Sequence, residues 1–415
     1  MAHLSTAMHI LYLSQYFPPE VGATQTRAYE MARGLVLAGH RVTMIAEVPN
    51  HPSGIVPPAY RGRWVEQSTL DGIDVLRVWV KASPNKTFKT RMAFYLSYMA
   101  DATLVGALRA AGPFDVVYAT SPPLFVGAAG LALHRLKRAP LVFEVRDLWP
   151  ESAVALGELN SPRAIAWAGR LEETCYNRAS RIVVVTEGIR RRLLERGFPA
   201  GKLALIPNGA NTKLFQRQPA LGQQFRAEHG LAPDAFVAVY AGIHGIAQGL
   251  ETLLHAADRL RNEPAVRFVL VGEGPVKADL HALAAELHLD NVLMLPEQPR
   301  AAMPAILSAA DAAIVPLRKL ELFQGALPSK MFDAWACELP LLLSIDGEAR
   351  RTLEAAQGGL YVPPEDPAAL AEAIRALAAQ PERGRSLGRN GRRYTEQHHS
   401  RQAQARALEQ LLTEL

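Results

Sequence analysis

Short apolar segments alternate with longer amphipathic segments along the whole chain, and this pattern constrains the fold more than any other feature of the sequence. Short apolar runs bounded by turn residues are typical of strands, whereas the longer segments have the period of helices. Strands are predicted at 9–14, 41–46, 75–80, 116–119, 141–145 and 182–186. Helices are predicted between them, for example at 27–38 and 163–179. This alternation is typical of parallel sheets whose strands are joined by crossover helices.

A turn segment at 206–209, with the sequence Ile-Pro-Asn-Gly, interrupts the alternation, which then begins again. Further strands are predicted at 236–241, 266–271, 292–295, 312–315, 341–344 and 359–362. We therefore predict an α/β protein with two Rossmann-like domains, residues 1–210 and 211–391, that face each other across a cleft. A helix at 392–415 is expected to cross back to the first domain. Ligands of such sheets bind beyond the carboxyl ends of the strands, so the site is expected in that cleft.

The composition limits the class of protein and its location. The 415 residues are 49% hydrophobic and 20% charged, which suits two packed domains and excludes a disordered chain. The two cysteines, Cys175 and Cys337, are too far apart for a disulfide framework or a metal motif, so a reducing cytoplasm is expected. No apolar run reaches the roughly 18 residues of a membrane span. Residues 1–7 precede the first strand and are interpreted as a leader or a cloning remnant.

The net charge is +5, and part of the excess is clustered. Lys81, Lys86, Lys89 and Arg91 precede an aromatic-rich helical stretch at 92–99, and 190–192 is a run of three arginines. Two interpretations remain open: a surface for anionic lipid, which would place the protein at the inner face of the plasma membrane, or a solvated helix face. Because no nucleic-acid-binding motif accompanies the clusters, nucleic acid is not expected as a partner.

A loop that contains glycine follows the first strand of each domain, with a lone glycine in the first domain, where turn geometry is the alternative, and three in the second. Gly22 lies before the first helix, and the loop 242–249 between a strand and a helix contains three glycines. Such loops bring backbone N–H groups and a helix N-terminus close to an anion. The spacing matches neither the dinucleotide fingerprint nor the Walker loop, so a nucleotide-linked diphosphate is favoured. The donor-binding candidates from these and neighbouring loops are Gly22, Gly242, His244, Gly245, Gln248, Gly272, Glu273 and Glu297.

The segment 325–340 is the most informative part of the second half. Ser329 is predicted to be the N-cap of a short helix that ends before Pro340. Lys330 and Asp333 are three residues apart and share one face of its first turn. We expect the ammonium to hold a diphosphate and the carboxylate to hold a ribose diol, with Leu327 and Ser329 beside them. The alternative is that Asp333 only complements the helix dipole.

A charged segment follows the predicted strand 141–145 in the first half. Arg146, Asp147 and Glu151 lie at the carboxyl end of that strand, beside Trp149 and Pro150. Charged groups at this edge suit an active site, and we take the three as catalytic candidates. The alternative is an Arg146–Asp147 pair that closes a loop.

Five motifs together point to a family. They are Tyr-Phe-Pro-Pro-Glu at 16–20, the segment 143–151, Ile-Pro-Asn-Gly at 206–209, the loop 245–249 and Pro-Ser-Lys at 328–330. In these motifs the chain resembles, over essentially its whole length, the retaining GT-B glycosyltransferases of family four. Within that family it is similar to enzymes that build bacterial surface polysaccharides, such as N-acetyl-L-fucosamine transferases and colanic-acid-type transferases.

The resemblance implies an acceptor in the first domain, a nucleotide sugar in the second and transfer with retention. It places Asp333 at the ribose-binding acidic position of the family's Glu-x7-Glu motif. Gly325 stands where the first acidic residue would be, and Gln248 stands near the place of the family's basic residue. Arg146-Asp147 replaces a His-Asp pair that many members carry.

We therefore expect transfer of a sugar from a nucleotide diphosphate sugar, preferably UDP-linked, to a sugar hydroxyl. The resemblance adds an acceptor carried on a polyprenyl diphosphate. No cofactor is expected, and the absence of an Asp-x-Asp motif or a His/Cys cluster predicts no catalytic metal. Two other functions remain open at this point: a nucleotide-sugar epimerase, and a GT-B-like protein that binds nucleotide sugars without catalysis.

Overall fold

Parallel strands form the centre of each half of the chain. The structure is a computed structural model that describes residues 7–85, 87–155, 157 and 159–415. The chain divides into two compact units: the first ends at Pro207 and regains Gln402–Leu415, and the second is Asn208–Arg401. Lys86, and all but the last of the seven residues interpreted as a leader, lie outside the described residues.

The first unit contains an eight-stranded sheet. Its strands are β1 (His9–Leu13), β2 (Arg41–Glu47), β3 (Val65–Leu70), β4 (Ile73–Val78), β5 (Val116–Ser121), β6 (Leu141–Val145), β7 (Arg181–Val184) and β8 (Leu203–Leu205). Its first six helices are α1 (Ala23–Leu37), α2 (Phe88–Leu108), α3 (Phe125–Lys137), α4 (Glu151–Ala155), α5 (Pro162–Arg178) and α6 (Glu187–Glu195). The strand order is β3-β4-β2-β1-β5-β6-β7-β8, and only β3 runs antiparallel to its neighbour. The chain leaves β1 towards β2 on one side and β5 lies on the other, so the switch point is between β1 and β5.

The second unit contains a six-stranded parallel sheet. Its strands are β9 (Phe236–Ala241), β10 (Val266–Val271), β11 (Val292–Leu295), β12 (Ala312–Pro316), β13 (Leu341–Ser344) and β14 (Gly359–Tyr361). Its helices are α7 (Pro219–Glu228), α8 (Glu251–Arg259), α9 (Lys277–Glu286), α10 (Met303–Ser308), α11 (Ser329–Ala336), α12 (Glu348–Ala356), α13 (Pro367–Ala378) and α14 (Pro381–His398). The order β11-β10-β9-β12-β13-β14 places its switch point between β9 and β12.

The strands read as continuous apolar runs because both faces of each sheet are covered. Every residue of β5, β6, β12 and β13 is buried. This is the pattern of parallel strands that lie between two layers of helices. Two strands of the structure were not predicted, and each has a physical reason. β3 is a polar, partly exposed edge strand, and β8 has only three residues.

The C-terminal helix differs from the expectation. The predicted helix at 392–415 is two helices, because α14 continues to His398 and α15 (Arg401–Thr413) begins after a break. Ala405, Leu408 and Leu412 of α15 belong to the apolar core of the first unit. Gly34 of α1 permits this packing, since a Cβ there would lie 2.4 Å from the Cβ of Ala405. The units therefore divide at 207/208 and 401/402, not at the expected 210/211 and 391/392.

The two ends of the second unit lie side by side. Ala210 and Ser400 form a parallel bridge, in which Ala210 N–H donates to His399 O at 3.0 Å and Arg401 N–H donates to Ala210 O at 2.9 Å. His399 Nδ1 lies 2.8 Å from Asn208 O. The chain thus enters and leaves this unit at one place.

A buried ion pair connects several elements of the first unit. Arg27 of α1 is 1% exposed, and its Nε and Nη2 lie 2.9 and 2.8 Å from Oε1 of Glu144, in β6. Thr120 of β5 donates to the other carboxylate oxygen at 2.6 Å. The guanidinium also donates to the carbonyls of Ile206 and Pro207, at 2.7 and 2.9 Å. Burial alone would raise the pKa of Glu144, but Arg27 outweighs it and the pKa is lowered.

We expect Glu144→Gln to lower the free energy of unfolding of the first unit by about 3–5 kcal/mol, because it leaves the Arg27 charge buried without its counter-ion. Urea unfolding followed by near-ultraviolet circular dichroism measures the change. The matched control is Asp74→Asn, which removes the exposed Arg41–Asp74 pair (3.1 Å) in the same sheet and should cost about 0–1 kcal/mol. Equal losses in the two variants would contradict the role given to the buried pair.

Candidate functional site

The loop after β9, residues 242–249, lies directly against the turn after β10. Gly242 N–H donates to Val271 O at 2.9 Å, and His244 N–H donates to Glu273 O at 2.8 Å. Gly272 and Gly274 are required here, because a Cβ at either would overlap the backbone of Gly242 or His244. The two loops therefore form one backbone surface beside the switch point of the second sheet.

Not every N–H group of this loop is available to a ligand. Those of Gly242 and His244 are already used within the protein, which corrects the expectation that the whole loop presents amides. Within the described residues, the N–H groups of Ile243 and Gly245 donate to no protein acceptor. The amides of Ile243 and Gly245 are therefore among the donors available to a ligand beside the switch point.

Lys330 reaches this loop from α11, which follows β12. A Cβ at Gly242 would lie 2.6 Å from its Nζ, so only glycine leaves room for the ammonium. Nζ donates to Tyr240 Oη at 3.0 Å and lies 4.1 Å from the centre of that ring. Tyr240 Oη in turn donates its proton to Ile243 O at 2.6 Å, so a lone pair of the Tyr240 oxygen remains to accept from Lys330.

The ammonium of Lys330 has no carboxylate partner within the described part of the chain. Burial lowers its pKa to about 7. A cation held without a counter-ion beside a backbone surface is what an anionic ligand requires, because the ligand supplies the missing charge.

Asp333 lies one turn further along α11 but faces a different partner. Its Oδ2 is 3.5 Å from Arg300 Nη1, and the Arg300 guanidinium lies 4.7 Å from the centre of the Phe215 ring. Arg300, which sequence analysis missed, comes from the loop after β11.

The predicted N-cap is also corrected: Pro328 occupies that position, and Ser329 is the first helical residue, with no capping hydrogen bond from a side chain. Leu327 is buried, and its carbonyl accepts from Asn208 Nδ2 at 3.2 Å.

His244 and the charged groups after β10 and β11 complete this edge. The His244 ring is fully buried, and burial together with Lys277 lowers its pKa to about 4, so it is neutral at pH 7. Lys277 Nζ lies 2.6 Å from Glu273 and 2.9 Å from Gly272 O. Burial, and then the charge of Glu273, raise the pKa of Glu297.

Gln248 lies in a 3₁₀ turn that another unpredicted residue supports. Arg318, after β12, donates from Nε to Ile246 O at 2.7 Å. Its guanidinium also pairs with Glu251 and Glu365, at 2.5 and 3.0 Å. Arg318 therefore fixes the loop near Gln248 but brings no net positive charge there, because its two carboxylate partners more than neutralise the guanidinium.

The candidates of the first unit lie at the carboxyl ends of β1 and β6. Gly22 is the N-cap of α1. Arg146 Nη2 donates to Thr24 Oγ1 at 3.0 Å, and Asp147 Oδ2 accepts from Ser152 at 2.8 Å. Burial raises the pKa of Asp147 despite that hydrogen bond. Glu151 instead pairs with Arg192 at 3.3 Å on the surface.

Glu20 is a further buried carboxyl at this edge that sequence analysis did not select as a site residue. Its Oε1 accepts from the N–H groups of Asn50 and His51, both at 2.7 Å, and burial raises its pKa to about 7. Glu47 lies nearby in the same network, with Gln15 and Asn50 as donors at 2.8 Å. The signal was present in the sequence, because Glu20 belongs to the motif 16–20.

Two absences apply to the described part of the chain. No group of three or more His, Cys, Asp or Glu side chains has an arrangement that would hold a metal ion. No helix combines the length and the apolar character that a bilayer span requires.

Comparison with known proteins finds relatives along the whole chain. Residues 22–209 match the model of a glycosyl transferase 4-like domain, and residues 223–394 match glycosyl transferases group 1. The chain is 25% identical over 352 residues to a putative colanic acid biosynthesis glycosyl transferase of Escherichia coli, with 84% of each chain covered. It is 30% identical over 291 residues to D-inositol 3-phosphate glycosyltransferase 1 of Catenulispora acidiphila, with 67% of each covered.

Solved structures share the architecture. HepE of Anabaena, in complex with UDP-glucose, superposes with a TM-score of 0.75 at 16% identity, covering 98% of this chain and 100% of that one. Two Rossmann-like α/β domains with parallel sheets define the GT-B class of sugar-transferring enzymes. The chain belongs to family four of the GT-B glycosyltransferases, and it is related to enzymes of bacterial polysaccharide biosynthesis.

We expect the affinity for UDP to fall as pH rises above 7, because an anion binds the charged form of Lys330 and the pKa of that group is about 7 in the free protein. The terminal phosphate of UDP is already ionised there, so the decrease, up to about tenfold per pH unit, reports on the lysine. Titration calorimetry from pH 7 to 9 measures it.

The matched variants are Lys330→Met, which should bind weakly and without this pH dependence, and Lys319→Met, which removes an exposed lysine of the same unit. Uridine, which carries no phosphate, should show no pH dependence. A wild-type affinity that is constant over this range would refute the assignment.

Proposed function

We propose that this enzyme transfers a sugar, with retention, from a nucleotide diphosphate sugar, preferably UDP-linked, to a sugar hydroxyl of a lipid-linked acceptor. The observation that carries the proposal is the ammonium of Lys330, which lies beside Gly242 at the switch point of the second sheet without a carboxylate partner. Lys330 supports a donor site in the second unit, and the acceptor is proposed for the first unit on the family resemblance.

The leaving diphosphate would be stabilised by charge. Lys330 and the available amides of Ile243 and Gly245 lie on the same loop surface, and preorganised donors of this kind stabilise developing negative charge in a transition state. The proposal needs no metal ion for this step. The UDP-glucose complex of HepE, which has the same fold, supports this choice of donor class.

Asp333 is proposed to hold the ribose diol. Its carboxylate is oriented by Arg300 at 3.5 Å, and Arg300 is itself packed on Phe215. A carboxylate held in this way accepts hydrogen bonds from two adjacent hydroxyls without a large entropy cost. Glu297 and Glu273, on the loops after β11 and β10, are retained as donor-binding candidates of the same unit.

Asp147 is proposed to act on the acceptor hydroxyl, and Arg146 to orient it. The raised pKa of Asp147 suits a group that accepts a proton during reaction. Glu151 is retained as a weaker candidate, since its surface pair with Arg192 leaves it exposed to solvent.

The membrane partner is proposed from the first turns of α2. None of the residues 88–97 is buried, although this segment contains Phe88, Met92 and Leu96. Phe94 packs against the apolar core of the first unit, whereas Phe88 and Leu96 are exposed, and the proposal rests on these exposed side chains. Lys81 and Lys89 beside it are exposed, which suits an anionic bilayer.

A screen of UDP-, GDP- and dTDP-sugars by thermal unfolding tests the donor class, and we expect UDP-sugars to raise the unfolding temperature most. Asp333→Ala should weaken UDP binding by about tenfold or more, since a hydrogen-bonded charged contact contributes about 1.5–3 kcal/mol. Asp279→Ala, an exposed aspartate of the same unit, is the control and should bind normally.

In the same series Asp147→Asn should lower the maximal rate and leave UDP affinity unchanged.

A nucleotide sugar that is converted without an acceptor, to a product of equal mass, would show an epimerase instead. Binding without any turnover on glycan acceptors would show a non-catalytic protein. No stabilisation by any nucleotide sugar would end the proposal.

We expect the full chain to float with anionic vesicles of phosphatidylglycerol at low salt and to be released at high salt, because each cation near the surface contributes about 1 kcal/mol that salt screens. Lys89→Glu should reduce flotation, whereas Lys213→Glu, on an exposed lysine of the second unit, should not. Equal flotation with neutral phosphatidylcholine vesicles would remove the electrostatic part of the proposal.

A further inference from the structure

Helix α11 carries Lys330 and Asp333, but its own N-terminus does little to hold it in place. Its N-cap is Pro328, and within the described residues no side chain makes a capping hydrogen bond there. A helix end without such a cap is prone to fraying. The ammonium of Lys330 is buried without a carboxylate partner in the same described part of the chain, and such a charge is more stable in water. Contacts elsewhere on α11 are therefore needed to keep this helix in position.

The face of α11 opposite Lys330 and Asp333 packs on the aromatic end of α14. Successive residues of a helix are rotated by about 100°, which places Phe332 and Trp335 together on this opposite face. Both side chains are fully buried. The ring of His399, directly after α14, lies 4.0 Å from that of Phe332 at an interplanar angle of 16°. This stack holds the middle of α11 against the end of α14.

His399 is in turn fixed by the segment through which the chain enters the second unit. Burial lowers its pKa to about 4, so the ring is neutral at pH 7. Its Nδ1 carries the proton and donates to Asn208 O at 2.8 Å, since a carbonyl can only accept. Its backbone N–H donates to Thr395 O at 2.8 Å, and its carbonyl accepts from Ala210 N–H at 3.0 Å. The backbone and the ring of His399 are thus both held.

Asn208 also contacts the start of α11 directly. Its Nδ2 donates to Leu327 O at 3.2 Å, two residues before the first helical residue. The entering chain is therefore connected to α11 at two points. One is the amide bond to Leu327, and the other runs through the ring of His399 to Phe332. Two points of contact about one turn apart fix both the position and the rotation of a short helix, which the missing cap does not.

We propose that His399 is a positioning residue that holds α11 with Lys330 and Asp333 in place for the nucleotide diphosphate. This rests on the proposed function, which assigns the diphosphate and the ribose to those two side chains. His399 acts through Phe332 and not by contact with the ligand. Without the stack, α11 can move its ammonium towards water, and a smaller fraction of the protein has the donor site assembled. The apparent dissociation constant rises in inverse proportion to that fraction.

Two substitutions separate the ring of His399 from its hydrogen bond. His399→Gln keeps a donor for Asn208 O but loses the ring, whereas His399→Phe keeps the ring and loses the donor. In titration calorimetry of the full chain with UDP, His399→Gln should bind about three- to tenfold more weakly than the wild type, the range expected for one aromatic contact. His399→Phe should remain within about twofold of the wild type. His398→Gln is the matched control, because it is the same substitution at the adjacent, exposed histidine.

Two further measurements distinguish positioning from a general loss of stability. Phe332→Leu removes the other ring, and the double variant with His399→Gln should bind UDP no more weakly than either single variant, since both remove one contact. In His399→Gln the pH above which UDP affinity falls should also rise above 7, because a looser α11 hydrates Lys330 and returns its pKa towards the ordinary value. Burial raises the pKa of the neighbouring Tyr240 and lowers that of His244, so neither changes charge in this range.

Three results would overturn the proposal. In the first, His399→Gln binds UDP as well as His398→Gln does. In the second, His399→Phe loses as much affinity as His399→Gln, which would assign the effect to the hydrogen bond and not to the stack. In the third, the losses of His399→Gln and Phe332→Leu add in the double variant, which would show that the two rings act independently. Phe332→Leu tests the stack from the side of α11 should His399→Gln not fold, and a wild type that does not bind UDP would count against the proposed donor site instead.

Discussion

The buried ion pair between Arg27 and Glu144 is the interaction on which the first unit depends. It joins α1 to β6, and through Thr120 it reaches β5, so it connects the elements on both sides of the switch point. The same guanidinium holds the carbonyls of Ile206 and Pro207, where the chain leaves this unit. A charge that is removed from water requires its partners in one geometry, so these elements are fixed relative to each other. The loops that carry Gly22, Arg146 and Asp147 begin from this fixed frame.

In the second unit, the loops of the candidate site are positioned by close backbone packing and not by a buried ion pair. Gly272 and Gly274 allow two loops to meet at hydrogen-bonding distance, and Gly242 leaves room for the ammonium of Lys330. Tyr240 orients that ammonium while donating to the loop itself. At Gly242, Gly272 and Gly274 any side chain would overlap a neighbouring atom of the donor surface, so only glycine fits there. This explains why a cation on α11 can serve a loop in which Gln248 is neutral.

Much of the fold followed from apolar periodicity, and the parts that did not have physical causes. β6, β9, β10 and β13 have the predicted bounds, because buried parallel strands read as nearly uninterrupted apolar runs. β3 was missed because an edge strand is polar, and the C-terminal helix was merged with α14 because the break at 399–400 has no Gly or Pro. In the candidate site, Lys330 and Asp147 were selected from their positions in motifs, and the structure places each after the carboxyl end of a strand. Arg300 and Arg318 were not selected, because their contacts are with residues far away in sequence, whereas Glu20 lies in a motif that was noted but not taken as a site.

The bridge between Ala210 and Ser400 has a topological consequence. Because the second unit begins and ends at one place, it has the form of an insertion: a complete α/β module placed between two parts of another. The tail, α15, then returns to α1 and adds Ala405, Leu408 and Leu412 to the apolar core of the host. An excised insert of residues 208–401 would carry adjacent ends, and these could be joined to each other or to a different host without crossing its core. Modular exchange of donor specificity between enzymes is thus compatible with this chain path.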